Sequence, residues 1–109
     1  MAPLHIPRRI LRLQTVAVAG DSMAPTYHDG DWLLTRWGGR YKVGQVLIVE
    51  RNERPGIYLV KRLVRVEGGK YWVEGDNPLA STDSRQWGFL DSQEILGRVF
   101  FRYRRSASS

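Results

Sequence analysis

The chain has 109 residues, a formal net charge of +6 and no cysteine. That length fits a single domain, residues 1–109, with a modest core. The lack of cysteine excludes disulfide staples, thiolate-ligated metals and a cysteine nucleophile. With His5 and His28 as the two imidazoles, a histidine-rich metal site is not expected, and neither metal nor cofactor is called for.

Apolar residues make up 42% and charged residues 26%, a globular rather than a disordered balance. No stretch approaches the roughly 20 apolar residues that a membrane-crossing helix requires. The segment Met1–Gln14 carries Pro3, Pro7 and several arginines but no apolar run of the signal-peptide kind. The expectation is a soluble, cytoplasmic chain that could still lie against a membrane; the oligomeric state is open. Basic residues gather at both ends, Arg8, Arg9 and Arg12 at one and Arg98, Arg102, Arg104 and Arg105 at the other. Such charge suits nucleic acid, an anionic membrane or an acidic substrate, but solvated strand faces and a frayed tail are the plainer account.

In chain order, the pattern reads as short strands separated by turn signals. Segments 1–7 and 106–109 are expected to be flexible. Strands are predicted at 8–18, 31–37, 45–51, 57–66, 70–74 and 96–103. Gly68-Gly69 suits a tight hairpin, because glycine takes positive φ without steric cost. Asp91 with Glu94 three positions on resembles a helix capping box. The fold class is therefore mainly β, with at most short helical turns and a closed or partly closed sheet.

Three clusters could carry chemistry. Gly20-Asp21-Ser22-Met23-Ala24-Pro25-Thr26 sits where a strand ends at glycine. A serine there can project from a turn with backbone N–H groups near it, and Met23 could anchor the segment beside a cleft. Lys61 lies in a row with Ile57, Leu59 and Leu63 if 57–66 is extended. Burial of that row would disfavour the ammonium and make Lys61 a base near neutral pH. The opposite row, Tyr58, Val60, Arg62 and Val64, is similar in character, so alternation alone leaves the facing open. The third cluster is Gly75-Asp76-Asn77-Pro78, followed by Ser81, Asp83, Ser84, Arg85, Trp87 and Gly88. Asp83 and Arg85 could pair as carboxylate and guanidinium, and Ser81 could orient a lysine amine.

Together these residues resemble the signal peptidase I (S26) family. Ser22-Met23-x-Pro25-Thr26 is similar to its nucleophile box, and Tyr58-Leu59-Val60-Lys61-Arg62 to its general-base box. Gly75-Asp76-Asn77 with Ser81-x-Asp83-Ser84-Arg85-x-Trp87-Gly88 resembles its last box. The closing Ile95-Leu96-Gly97-Arg98-Val99 fits its final strand. The three boxes stand in order across residues 20–99.

The resemblance implies a serine endopeptidase with a Ser–Lys dyad and the signal peptidase/LexA-like β fold. Ser22 would be the nucleophile and Lys61 the base. Ser81 would hold the lysine amine, and Asp83 and Arg85 would brace the loop beneath. Its partner would be a protein precursor, with no nucleic acid. Gly20 stands where many bacterial members have a serine whose hydroxyl helps the oxyanion hole. The family's membrane anchor and large extra β domain are expected to be absent, since 21 residues precede Ser22 and 13 separate Lys61 from Gly75.

Within that family the small nickel-type superoxide dismutase maturation proteases share the glycine before the serine, the Asp-Asn-Pro and the arginine-rich end. They imply a superoxide dismutase pro-segment as substrate, with a general leader or signal peptidase as the alternative. A LexA-like S24 protein shares the Ser–Lys dyad, but no room precedes Ser22 for a helix-turn-helix. A non-enzymatic alternative is a basic β-barrel that stacks single-stranded nucleic acid on Trp32, Trp37, Trp72 and Trp87. Trp32, Trp37 and Trp87 are also candidates for a membrane-facing patch or for substrate pockets.

Overall fold

A computed structural model describes residues 13–105. The segments 1–12 and 106–109 lie outside the described residues. So do the first half of the predicted strand 8–18 and the expected flexible ends.

Six strands are present: β1 (Leu13–Ala17), β2 (Trp32–Trp37), β3 (Val46–Val49), β4 (Leu59–Glu67), β5 (Lys70–Glu74) and β6 (Ile95–Arg104). Each overlaps a predicted strand, so the mainly β reading holds. The strands form one antiparallel sheet in the order β1-β2-β6-β3-β4-β5. Among the described strands the ladder does not close: β1 and β5 are its edges. β5 has five residues, and the chain then leaves the sheet as a polar loop. Helical structure is limited to α1 (Ser84–Trp87) and 3-10 turns at Pro78–Ala80 and Ser92–Glu94. The Asp91–Glu94 capping box is present.

The arrangement follows from local chemistry. β3 is a run of four apolar residues with no alternation, and all four are buried. Such a strand needs cover on both faces. Val46 and Ile48 enter one cluster with Val18, Met23, Leu33 and Val99. Leu47 and Val49 enter another with Leu63, Val73, Leu90 and Ile95. β3 thus separates two small cores.

β4 turns into β5 at Gly68 and Gly69, with φ of 55° and 77°. Positive φ at both central residues matches the right-handed twist of the flanking strands. This hairpin carries residues 75–88 back over the second core, beside the end of β1.

Candidate active site

The first cluster begins where β1 ends. Val18 donates its N–H to the Asp31 carbonyl and accepts from the Gly30 N–H, which pins the strand end to the turn at 28–31. The Gly20 N–H donates to Asp29 Oδ1 at 2.8 Å. The chain then coils through residues 21–27. Met23 is fully buried in the first core. It anchors the turn from beneath, beside the cleft, and is not itself among the cavity-lining residues. With Met23 turned inward, Ser22 stays half-buried on a cavity of about 400 Å³.

Lys61 lines the same cavity. It sits opposite Leu47 in the β3–β4 ladder, two residues before the buried Leu63. This settles the facing that alternation left open, because the Lys61 row turns inward. Lys61 is 3% exposed. Burial lowers its pKa below the ordinary lysine value; Asp83 pulls it back up and Arg85 adds to the lowering.

Ser81 meets Lys61 across the cleft floor. Lys61 Nζ donates to Ser81 Oγ at 3.1 Å, and Ser81 Oγ donates to Asp83 Oδ2 at 2.5 Å. Asp83 is fully buried at the N-cap of α1, with a capping box to Gln86. Burial pushes its pKa up. Hydrogen bonds from Arg85, Ser81 and the Gly75 and Arg85 backbone N–H groups outweigh that and hold it well below the usual carboxylate range. Arg85 grips both oxygens, through Nε to Oδ1 at 2.9 Å and Nη2 to Oδ2 at 2.6 Å. The Gly75 N–H adds a third contact to Oδ2 at 2.8 Å. A permanently ionised Asp83 has no proton to give. Ser81 must therefore donate to it, which leaves a Ser81 lone pair for the lysine amine.

Several contributors were not singled out as site residues from sequence. Gly75 lets the third cluster approach the first. A Cβ on it would stand 2.3 Å from Ser81 Oγ and 2.6 Å from the Ser22 carbonyl oxygen. Asn77 clasps the serine turn, its N–H donating to the Ser22 carbonyl at 2.9 Å and its Nδ2 to the Asp21 carbonyl at 3.1 Å. Asp76 accepts from Thr26 Oγ1 at 2.6 Å and from Arg62. Ser84, fully buried, accepts the Val73 N–H at 2.9 Å. Their sequence signal was the density of small polar residues at 75–84, which also reads as an ordinary loop.

The tryptophans serve separate places. Trp87 lines the cavity. Trp37 donates to Thr35 Oγ1 and meets Tyr58 edge-on. Trp72 donates to Glu74 and lies beneath Arg65. Trp32 is exposed on β2. Among the described residues no three His, Asp or Glu groups come together as a metal site, and no helix is long and apolar enough to cross a membrane.

Residues 7–100 match the Peptidase S24-like family. The chain belongs to that family. Individual relatives bear names from the signal peptidase side of it. Mitochondrial inner membrane protease subunit 1 of Xenopus tropicalis is 28% identical, over 82% of this chain and 68% of the relative. Signal peptidase I of Bacillus licheniformis is 26% identical, over 87% of this chain and 80% of the relative. A probable signal peptidase I-1 of Synechocystis is 43% identical over a shorter stretch, 58% of this chain and 32% of the relative. The expected S26 kinship is thus met in its coarser form, a peptidase family that takes in signal peptidase I homologues.

Proposed function

We propose that the protein is a serine endopeptidase that removes an N-terminal leader from precursor proteins, with Ser22 as nucleophile and Lys61 as base. The observation that carries this reading is the buried Lys61 amine, hydrogen-bonded to Ser81 and sharing one cavity with Ser22. Burial disfavours the ammonium form, so Lys61 gives up its proton more readily than an ordinary lysine and can serve as the base.

The steps follow from these parts. Ser22 Oγ attacks the scissile carbonyl carbon while its proton passes to Lys61 Nζ. The carbonyl oxygen gains the negative charge and is received by the Ser22 backbone N–H. Collapse breaks the C–N bond, and the Lys61 ammonium returns its proton to the leaving amine. Water then attacks the acyl-serine, giving its proton to Lys61, and as the ester bond to Ser22 breaks the Lys61 ammonium returns that proton to Ser22 Oγ, which restores both groups. Ser81 keeps the amine aimed, because one N–H is committed to Ser81 Oγ. Asp83 and Arg85 hold Ser81 in turn.

The names of the relatives support general leader removal. The narrower substrate, a nickel-type superoxide dismutase precursor, rests on the short sequence features alone and is the secondary reading. Residues 13–105 would act as one catalytic unit.

The test is cleavage of a signal-peptide-bearing precursor beside a nickel superoxide dismutase precursor, by wild type, Ser22→Ala and Lys61→Ala. Processing of the first, abolished by both substitutions, is the expected result. Processing of the second alone would shift the reading to the maturation protease. A folded wild type that cuts neither, with or without membranes, would overturn the peptidase proposal.

A further inference from the structure

We infer that the cleft reads a carboxylate side chain of its substrate, close to the scissile bond, through Arg51 and Arg54. The inference rests on the Ser22–Lys61 reading and names a substrate feature for that same site.

Both arginines line the cavity that holds Ser22 and Lys61. They enter it from the connection between β3 and β4. Apart from Lys61, two cations face Asp21, the one carboxylate among the lining residues. A negative group entering the cavity meets a net positive wall.

Arg51 is built to present donors rather than to swing free. Its side chain is 16% exposed, and its guanidinium lies 4.4 Å over the Trp87 ring. Stacking occupies the flat face of a guanidinium and leaves its in-plane N–H groups to bond. One of them goes to Glu53, whose own side chain is 79% exposed. With its carboxylate in solvent, Glu53 is a weak and exchangeable partner, and a substrate carboxylate can take its place. Arg54 pairs with no carboxylate among the described residues.

The connection itself is tied down. Glu50 donates its N–H to the Glu94 carbonyl at 2.9 Å, and the Asn52 N–H donates to Glu94 Oε2 at 3.0 Å. The Gly56 N–H donates to Glu50 Oε2 at 2.6 Å, and the Arg54 N–H to the Arg51 carbonyl at 2.9 Å. Two cations on an anchored loop cost little ordering on binding, which is what selective recognition needs.

The test uses a peptide series around a bond located by mass spectrometry in a cleaved precursor. Each of the three positions on either side carries Glu, Gln or Lys in turn. At one or more positions wild type should cleave the Glu peptide about tenfold faster, in kcat/KM, than the Lys peptide. In Arg54→Gln that ratio should shrink, in the Arg51→Gln/Arg54→Gln double variant approach one, and in Arg54→Glu reverse. Arg54 is exposed, so its two variants carry the test if Arg51→Gln fails to fold. A flat Glu-to-Lys ratio at all six positions, or a ratio that survives the Arg54 variants, would overturn the inference while leaving the peptidase reading standing. A wild type that cuts no precursor and no peptide would take both down.

Discussion

Arg62 forks onto Asp76 with two hydrogen bonds of 2.8 Å each, Nε to Oδ1 and Nη2 to Oδ2. Arg62 follows the candidate base Lys61 on β4, while Asp76 also accepts from Thr26 in the serine turn at 2.6 Å. One carboxylate therefore couples the base strand to the nucleophile turn. The Arg62 hydrogen bonds lower the Asp76 pKa, and burial only partly opposes them. On the proposed mechanism, Asp76 is a positioning residue, as Ser81 is for Lys61.

Asp76→Asn keeps the shape but gives up the charge and one acceptor. The pair is part-exposed, so the stability loss should be about 1 kcal/mol, near the lower end for charged hydrogen bonds. The kcat should fall about tenfold with little change in KM, since a displaced turn misaligns the reacting atoms. Urea midpoints and steady-state kinetics on one precursor check both. A KM effect alone would place Asp76 in substrate binding instead.

Gly75→Ala should be among the most damaging single-methyl additions in the protein. The new Cβ meets Ser81 Oγ at 2.3 Å and the Ser22 carbonyl at 2.6 Å, and the second is backbone that cannot rotate away. Overpacking of this kind costs about 1–3 kcal/mol, and activity should drop below detection. Gly69→Ala is the comparison. Gly69 has φ of 77° with open space around it, so that change should cost about 1–2 kcal/mol in backbone strain and leave kcat near wild type. Paired unfolding curves and rates separate the two mechanisms.

The lysine sets two pH dependences. Because the folded pKa of Lys61 lies below the unfolded value, near 10.5, kcat/KM should rise with pH as the ammonium loses its proton, at a midpoint below that of an ordinary lysine. Between the folded and unfolded pKa values the unfolded chain binds more protons, so this residue makes stability rise with pH across that window and become level above it. Lys61→Met should flatten that rise and be no less stable than wild type at neutral pH. Urea unfolding at several pH values between about 6 and about 11 is the measurement. A Lys61→Met protein with the wild-type pH slope would show that the buried amine is not its source.

Asp83→Asn removes the charge that Arg85, Ser81 and Gly75 all address. Breaking a buried ion pair from one side costs roughly 3 kcal/mol. The depressed pKa adds a pH signature: the wild-type advantage is present above the unfolded value near 3.8 and fades as pH falls below it. Ser81→Ala should cost little stability, yet lower kcat and move the kinetic base midpoint, because the Lys61 amine loses its fixed partner. Denaturation at pH near 7 and near 3, with pH–rate profiles for Ser81→Ala, tests this chain of contacts.

Much of this protein is determined within short stretches of sequence. The strand periods, the Gly68-Gly69 turn and the Asp91–Glu94 cap depend on neighbours a few residues apart, so they were readable in one dimension. The three boxes were readable for the same reason, and with them the candidates Ser22, Lys61, Ser81, Asp83 and Arg85. What the sequence left open concerns relations across 20 to 56 positions of chain, such as Lys61 with Ser81 and Asp21 with Asn77. The two faces of β4 carry similar residues, and only the tertiary fold, which buries Lys61 and Leu63 on the side of Leu47, decided that Lys61 turns inward. Met23 was legible as an anchor of the serine segment, but which residues it packs against was decided only when the first cluster closed around it. Gly75 appeared as a turn residue, yet its missing side chain is what lets Ser22 and Ser81 approach each other. Close packing between distant segments is a property of the folded whole, and no local pattern encodes it.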